Sequence, residues 1–424
     1  MHQTIRLGKS VAVLALVVVV GAACTTSSNN GGTTTSGQNG GTNCSQPIKI
    51  GLLAPFSGIA ASVGRNMGEG LNIAATELNA ADGVLGCQIE IVQRDDQFDP
   101  AKDASGAREL IDQEHVAAII GPAGTTNWLA IRQIVDQAHV LDYPIVTDPT
   151  LKENVDPFTF RIMIPDDIEI KPLVDYAVKN YSKIAVIAED DQTGHSQIKQ
   201  VQQEMAAHGK KPVTVQQFDT NGLDYTPQVL QLKQSGATAV ILGSHIGPYA
   251  ARVLNAAASI GYHPQWLGLA GMTTYTVADL AQQNVVGMIF VAPANPIVAG
   301  QGVSANERKF LAEYRKCCFP DGIRSESGAN KMIGAAFLTY DGLKMWAQAA
   351  EKAKSYSPDD VANVFNSGYQ FGPQDSSASL TWSYTKTDHE GFHATDAWFY
   401  RWVKDANGIE YKFLGDANKL SGNG

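Results

Sequence analysis

His389-Glu390-Gly391-Phe392-His393 holds two histidines four residues apart with a glutamate after the first. On a helix that spacing aims both imidazoles at one zinc ion and leaves the carboxylate to act as base, the arrangement of a metalloprotease. A helix is not expected here. Gly391 sits inside the pattern, Lys386-Thr387-Asp388 precede it, and an aromatic β-rich run starts at Ala397, so the reading is a hairpin turn without metal. The acid pairs Asp95-Asp96 and Asp190-Asp191 have the residue types of glycoside hydrolysis, but adjacent acids in loops more often cap helices or hold local backbone. There is no G-x-S-x-G elbow and no G-x-x-x-x-G-K-[ST] phosphate loop, and Gly64, Gly68 and Gly70 do not make the dinucleotide fingerprint. Neither an enzymatic activity nor a cofactor is expected.

The elements that would position any site begin after an export segment. Arg6 and Lys9 supply a positive start, and Val11 to Val20 form an apolar run too short to span a bilayer. The run ends in Gly21-Ala22-Ala23-Cys24, which resembles the bacterial lipobox; residues 1–23 then form a lipoprotein signal peptide, and the Cys24 thiol carries the lipid. Residues 24–46 follow as a tether, whose Thr/Ser/Asn/Gly tract cannot bury a core. This predicts an extracytoplasmic protein anchored to the bacterial membrane. Disulfides persist there. Cys44 lies just before the apolar run Ile48–Ala54 and Cys87 just before Gln88–Val92; if these are neighbouring parallel strands, the two cysteines share one sheet edge, and a Cys44–Cys87 disulfide is expected. The adjacent Cys317 and Cys318 form either a vicinal bridge or a reduced pair.

With 424 residues, 44% of them hydrophobic and 17% charged, the chain exceeds one core and has the composition to build two. Its 32 basic against 42 acidic residues, with no basic cluster beyond pairs such as Lys210-Lys211, leave no footprint for nucleic acid. From Pro47 onward, β-branched runs alternate with amphipathic segments, the pattern of parallel strands joined by crossover helices. One series gives strands at 48–53, 89–92, 117–120 and 144–146, with helices at 67–79, 101–113 and 128–138. A second gives strands at 183–187, 213–218, 239–242, 265–267 and 286–291, with helices at 197–208, 226–234 and 249–260. Helical text then returns at 307–316 and 331–354, followed by β-rich text at 379–384 and 397–403, so the chain crosses between lobes more than once.

The chain carries, in this order, Ile50-Gly51-Leu52-Leu53-Ala54-Pro55-Phe56-Ser57-Gly58, Asp82-Gly83-Val84-Leu85-Gly86, Arg94-Asp95-Asp96 with Asp99-Pro100, Ile119-Ile120-Gly121-Pro122, and Phe160-Arg161 before Pro165-Asp166-Asp167. Together these phrases resemble the type I periplasmic binding proteins, specifically those similar to the leucine/isoleucine/valine-binding protein of branched-chain amino acid ABC transporters. The resemblance runs over roughly residues 47–410. It implies an α/β fold of two Rossmann-like lobes with parallel central sheets and a three-strand hinge, crossing near Pro165, Pro293 and Gly372. Lobe I is then 47–163 with 294–371, and lobe II is 164–293 with 372–419. It further implies a monomeric receptor that hands a small molecule to permease and ATPase subunits. A ligand-sensing subunit of the same fold is the alternative, and a zinc protease the remote one.

In such a fold the ligand sits where loops leave the carboxyl ends of strands and enter helices. The loop Gly121–Asn127 opens a helix, so the free N–H groups around Gly124 and the hydroxyls of Thr125 and Thr126 are expected to hold an electron-rich group. By the resemblance, Asp148 and Thr150 contribute from lobe I, while Thr193 and His245 stand where the family places tyrosines. Ala270 stands where amino-acid binders place an acid for the ligand ammonium. Without that acid a buried ammonium lacks its counter-charge. The expected ligand is therefore a neutral or anionic compound, an organic acid, an amide or an atypical amino acid, with Asp148 as a substitute charge on the other wall.

Overall fold

The computed structural model describes residues 44–153, 155–294, 299, 303–318, 335–406 and 408–421. The signal peptide, Cys24 and the tether through residue 43 lie outside them, and so do residues 319–334 after the paired cysteines. No helix among the described residues is long and apolar enough to cross a membrane.

The first sheet is all parallel. Strands β1 (Ile48–Ala54), β2 (Ile89–Asp95), β3 (Ala118–Ala123) and β4 (Leu141–Ile145) lie in the order β2-β1-β3-β4. Ile50, Leu52, Leu53 and Ala54 are fully buried, as a central parallel strand covered on both faces must be. Helix α1 (Ala61–Ala80) starts before the expected 67–79, and it packs along helix Ala335–Ala353. Gly70 makes that approach feasible: a Cβ there would stand 1.8 Å from the Ala336 carbonyl oxygen. Helix α2 (Pro100–Arg108), capped by Asp99, continues as a π turn over Glu109–Gln113, and helix α3 (Thr125–Ala138) follows β3.

The second sheet has seven strands. β5 (Ile184–Glu189), β6 (Val215–Phe218), β7 (Ala239–Gly243), β8 (Gln265–Gly268) and β9 (Ile289–Pro293) form a parallel core in the order β6-β5-β7-β8-β9. Two late strands, Ala397–Asp405 and Gly408–Asp416, add to β9 as an antiparallel edge. Helices Asp166–Asn180, Gln192–Ala207, Thr226–Gln234 and Gly247–Ser259 cover this sheet. The first of these lies outside the expected helices and holds Pro172 in its interior, a position that proline disfavours.

The packing places residues 372–392 differently from the expected lobe boundaries. The short strands Tyr369–Phe371 and Trp382–Tyr384 pair with each other, not with the seven-stranded sheet. Asp341 on helix Ala335–Ala353 accepts hydrogen bonds from Ser376 Oγ (2.6 Å), the Ser377 amide (2.7 Å) and Trp382 Nε1 (2.9 Å), and Tyr384 Oη donates to the Arg161 carbonyl at 2.9 Å. A buried carboxylate that collects three donors fixes its neighbours, so this segment stays with the first sheet and the last crossing falls between Glu390 and Ala397 instead of near Gly372.

Cys44 and Cys87 are joined, with Cα atoms 5.3 Å apart beside the start of the β1–β2 pair, where Ile48 aligns with Ile89. Cys317 and Cys318 are joined at the end of helix Ala305–Cys318.

Candidate functional site

Both lobes present a helix N-terminus to one cleft. Strand β3 runs on to Ala123, so the loop before α3 shrinks to Gly124, whose φ of 92° belongs to glycine, and a Cβ there would press on the Phe98 ring at 3.0 Å. Thr125 is 1% exposed and its hydroxyl has no partner. From the other lobe, Asp191 caps helix Gln192–Ala207 by accepting from the Gly194 amide at 2.8 Å, and the buried Thr193 hydroxyl also lacks a partner. The two helices touch, and between the lobes lies a cavity of about 630 Å³. Two positive helix ends and two unsatisfied hydroxyls can hold an anionic group without a cationic chain.

The lobe II wall is acidic. Asp166 and Glu169, in the first turn of helix Asp166–Asn180, are both fully buried and border the cavity. Gln197 Nε2 donates to Asp166 Oδ1 at 3.0 Å, and the Ala270 amide donates to Glu169 Oε2 at 3.0 Å. Burial pushes the Asp166 carboxyl up to about 7 against the hydrogen bonds from Gln197 and Thr147. Burial also holds Glu169 well above the usual carboxyl range. His245 Nδ1 lies 2.9 Å from Glu189 Oε2, and Ser244 Oγ donates to Glu189 Oε1 at 2.6 Å. Burial opposes charge on His245, but Glu189, Asp191 and Asp166 together outweigh it and raise the imidazole to about 9. At neutral pH the ring is an imidazolium whose Nε2 has no protein partner.

Glu189, Asp191 and His245 bring ligand-type atoms within 4.8 Å of one another, and they are the one such group among the described residues. A metal there must displace the imidazolium proton. The motif at 389–393 is not helical and its parts face separate partners. His389 bonds to the Thr159 carbonyl and to Asn366, His393 bonds to Ser383, and Glu390 pairs with Arg161 at 2.8 Å with both side chains buried. No common ion can reach these groups.

Of the residues expected to bind ligand, Gly124, Thr125, Thr193, His245 and Ala270 border the cavity; Thr126 and Asp148 do not, and the Thr150 side chain lies outside the described residues. Thr126 follows Thr125 by one helix position, a rotation of about 100° that turns its side chain away. The Asp148 carbonyl is held by Arg161 Nη2, and Thr150 begins the short helix Thr150–Glu153. The reading missed Asp166, Glu169, Gln197 and Ser244. Three acids in four residues after Pro165 are the signal of a helix start.

The lobes touch across the cleft where Ser62 Oγ meets Thr276 Oγ1 at 3.2 Å and where the Phe98 and His245 rings lie 5.8 Å apart. A periplasmic binding protein family model matches residues 47–407. The chain belongs to the periplasmic binding protein family. As a member it is an extracytoplasmic solute-binding protein, from a family of non-enzymatic binding proteins, and is related to the Leu/Ile/Val-binding proteins of branched-chain amino acid transporters. Leu/Ile/Val-binding protein homolog 7 of Brucella abortus is 29% identical over 334 residues, covering 75% of this chain and 80% of the relative. A branched-chain amino acid transporter substrate binding protein from Streptococcus pneumoniae, in complex with isoleucine, has a TM-score of 0.71 at 21% identity and covers 87% of this chain and 100% of that one. A solute binding protein of an ABC transporter from Rhodopseudomonas palustris, in complex with 4-hydroxybenzoate, has a TM-score of 0.73 at 19% identity, with 88% and 98% covered.

The imidazolium gives this binding protein a pH signature. A group whose pKa rises on folding contributes stability that is complete below its unfolded value, about 6.5 for histidine, and disappears as pH climbs through the folded value of about 9. Asp166 has the same sign, its contribution fading as pH climbs through about 7. The melting temperature is therefore expected to fall between neutral pH and pH about 10, by the equivalent of roughly 1–3 kcal/mol, and His245→Gln is expected to flatten most of that slope. A melting temperature that is flat in the wild type over this range refutes the assignment.

Proposed function

We propose that this chain is the receptor of an ABC importer, anchored through a lipid on Cys24, that closes on a small polar solute bearing a carboxylate and passes it to permease and ATPase subunits. The supporting observation is the pair of helix N-termini, one from each lobe, that direct the buried Thr125 and Thr193 hydroxyls at one cavity. A ligand held by both lobes binds the closed form better than the open one and so shifts the population toward closure. The two ligands seen in the related structures, isoleucine and 4-hydroxybenzoate, share a carboxylate and little else. That is the group these helix ends suit, and the candidate solutes remain organic acids, amides and atypical amino acids. The positive start at Arg6 and Lys9, the small residues before Cys24 and the tract that follows support the anchor.

The test is native mass spectrometry of the purified chain for a co-purifying small molecule, with a thermal-shift panel of amino acids, amides and organic acids. At a hundredfold excess over its Kd, the true solute stabilises by about 2.7 kcal/mol. Thr125→Val and Thr193→Val are each expected to weaken binding by about 1–3 kcal/mol. In the same preparations the full chain is expected in the detergent phase and Cys24→Ser in the aqueous one. No stabilisation across the panel, together with no released compound, refutes the receptor reading.

A further inference from the structure

Phe98 stands beside the cleft on a turn that its surroundings must hold in place. Gln97 and Phe98 are consecutive residues at φ 54° and 62°, the left-handed region that a bulky side chain avoids. Carboxylates fix both amides: Asp95 Oδ1 accepts from the Gln97 N–H at 3.1 Å, and Asp96 Oδ1 from the Phe98 N–H at 2.7 Å. Asp96 and Asp103 are buried and hydrogen-bond to each other, which two carboxyls do by sharing a proton; burial pushes both up, Asp103 the further, so the proton is kept at neutral pH. Asp103 Oδ2 in turn accepts from Asn127 Nδ2 at 2.5 Å, in the first turn of α3. The turn is thus braced on the helix end that borders the cavity.

The brace sets the ring in one place. Gly124 leaves room for it, since a Cβ there would stand 3.0 Å from two of its ring atoms, and the ring meets His245 of the second lobe with centroids 5.8 Å apart at 45°. Gly124 and His245 border the cavity; Phe98 itself does not. An imidazolium within about 6 Å of an aromatic ring is attracted by the ring quadrupole. Because the two residues belong to different lobes, that attraction exists only while the lobes are together.

We infer that Phe98 is an interlobe latch: held ready by the Asp95–Asp96 turn of lobe I, its ring docks on His245 of lobe II and favours closure before any solute has entered. This goes beyond the receptor reading, because it concerns the empty cleft and does not depend on which solute is taken. A contact made only in the closed form shifts the closed-to-open ratio by the whole of its strength. A second cross-cleft contact, Ser62 Oγ to Thr276 Oγ1 at 3.2 Å, exchanges water for a hydroxyl and contributes little net, which suits it to report closure.

The experiment traps closure in the full chain with no solute added, after unfolding in urea and refolding with the native disulfides intact to strip any that co-purified. Ser62→Cys/Thr276→Cys puts two thiols where the hydroxyls meet, and oxidised glutathione bridges them only while the lobes are closed. Mass mapping of the 62–276 bridge gives its rate, normalised to mixed-disulfide formation by the single Ser62→Cys chain. In this parent, Phe98→Ala is expected to slow bridging by about 3- to 30-fold and Phe98→Leu, which keeps apolar bulk without the ring, by about threefold or more. Phe98→Tyr restores a ring and is expected to stay within about twofold of the parent. His245→Gln is expected to slow bridging as Phe98→Ala does, and the two together by no more than about twofold beyond either alone, since both remove one contact. His245→Gln also reads the contact from the other lobe where Phe98→Ala fails to fold. A Phe98→Ala chain that bridges as fast as its parent, or whose slowing is undiminished in the His245→Gln background, overturns the latch. So does a parent that forms the mixed disulfide but never the bridge. None of these results touches the solute screen on which the receptor reading stands.

Discussion

Arg161→Met is expected to destabilise the protein by about 3–5 kcal/mol and to lower ligand affinity as well. The guanidinium is fully buried and serves three masters: Nε faces Glu390 at 2.8 Å, Nη1 donates to the Val146 carbonyl at 2.8 Å, and Nη2 donates to that of Asp148. Removing it strands the Glu390 carboxylate, which burial already pushes up and which Arg161, ahead of Lys152, pulls back, in a region that cannot resolvate it. It also frees the segment Val146–Asp148, the start of which borders the ligand cavity. Chemical denaturation reads the first effect and calorimetry the second. The companion variant Arg161→Met/Glu390→Met separates charge from packing, because an apolar replacement of both members of a buried pair is often neutral or stabilising. A single variant within 1 kcal/mol of wild type, on that order, excludes the ion pair as a structural anchor.

The second large effect is expected at a contact without any polar chemistry. Gly70→Ala sets a methyl group 1.8 Å from the Ala336 carbonyl oxygen and 2.7 Å from Thr339 Oγ1, and Thr339 Oγ1 itself donates to the Met67 carbonyl at 2.8 Å. Neither obstacle is the free end of a flexible side chain, so α1 and helix Ala335–Ala353 must separate. The expected loss is roughly 1–3 kcal/mol or more, with weaker ligand binding, since Ser62, Asn66, Ala335 and Phe337 on these helices border the cavity. Gly372→Ala is the control: a Cβ there meets nothing within 4 Å, and its effect is expected within about 0.5 kcal/mol. Equal melting temperatures for the two variants contradict the close-contact account.

The comparison of sequence and structure separates periodic signals from spatial ones. Strand β1 was legible because Ile50, Leu52 and Leu53 make a continuous apolar run and both faces are buried. The final strand, Gly408–Asp416, was missed although Ile409, Tyr411 and Phe413 alternate with Glu410 and Lys412 in the period of a half-solvated edge. The helix end that borders the cleft was legible at Gly124 and Thr125, since a strand, a glycine and a helix start are local. The acidic wall was not. Asp166, Glu169, Glu189 and Asp191 come from a helix start and a strand end that pairing and packing bring together, and no spacing along the chain announces it. Ala270 does not describe this wall for the same reason: Glu169 arrives there through space and accepts from the Ala270 amide. The resemblance alone put the third crossing near Gly372, whereas the three donors around Asp341 hold the following residues against helix Ala335–Ala353.

Trp402 is completely buried in the late antiparallel edge, where its indole donates to the Met272 carbonyl at 3.1 Å and meets Tyr275 edge-on at 5.3 Å. Tyr275, Tyr400 and Tyr411 around it border the cavity. Whatever enters the cleft therefore alters the surroundings of a sheltered indole, and the protein carries its own optical reporter: occupancy can be followed as a change in tryptophan emission, without a label and on the timescale of mixing.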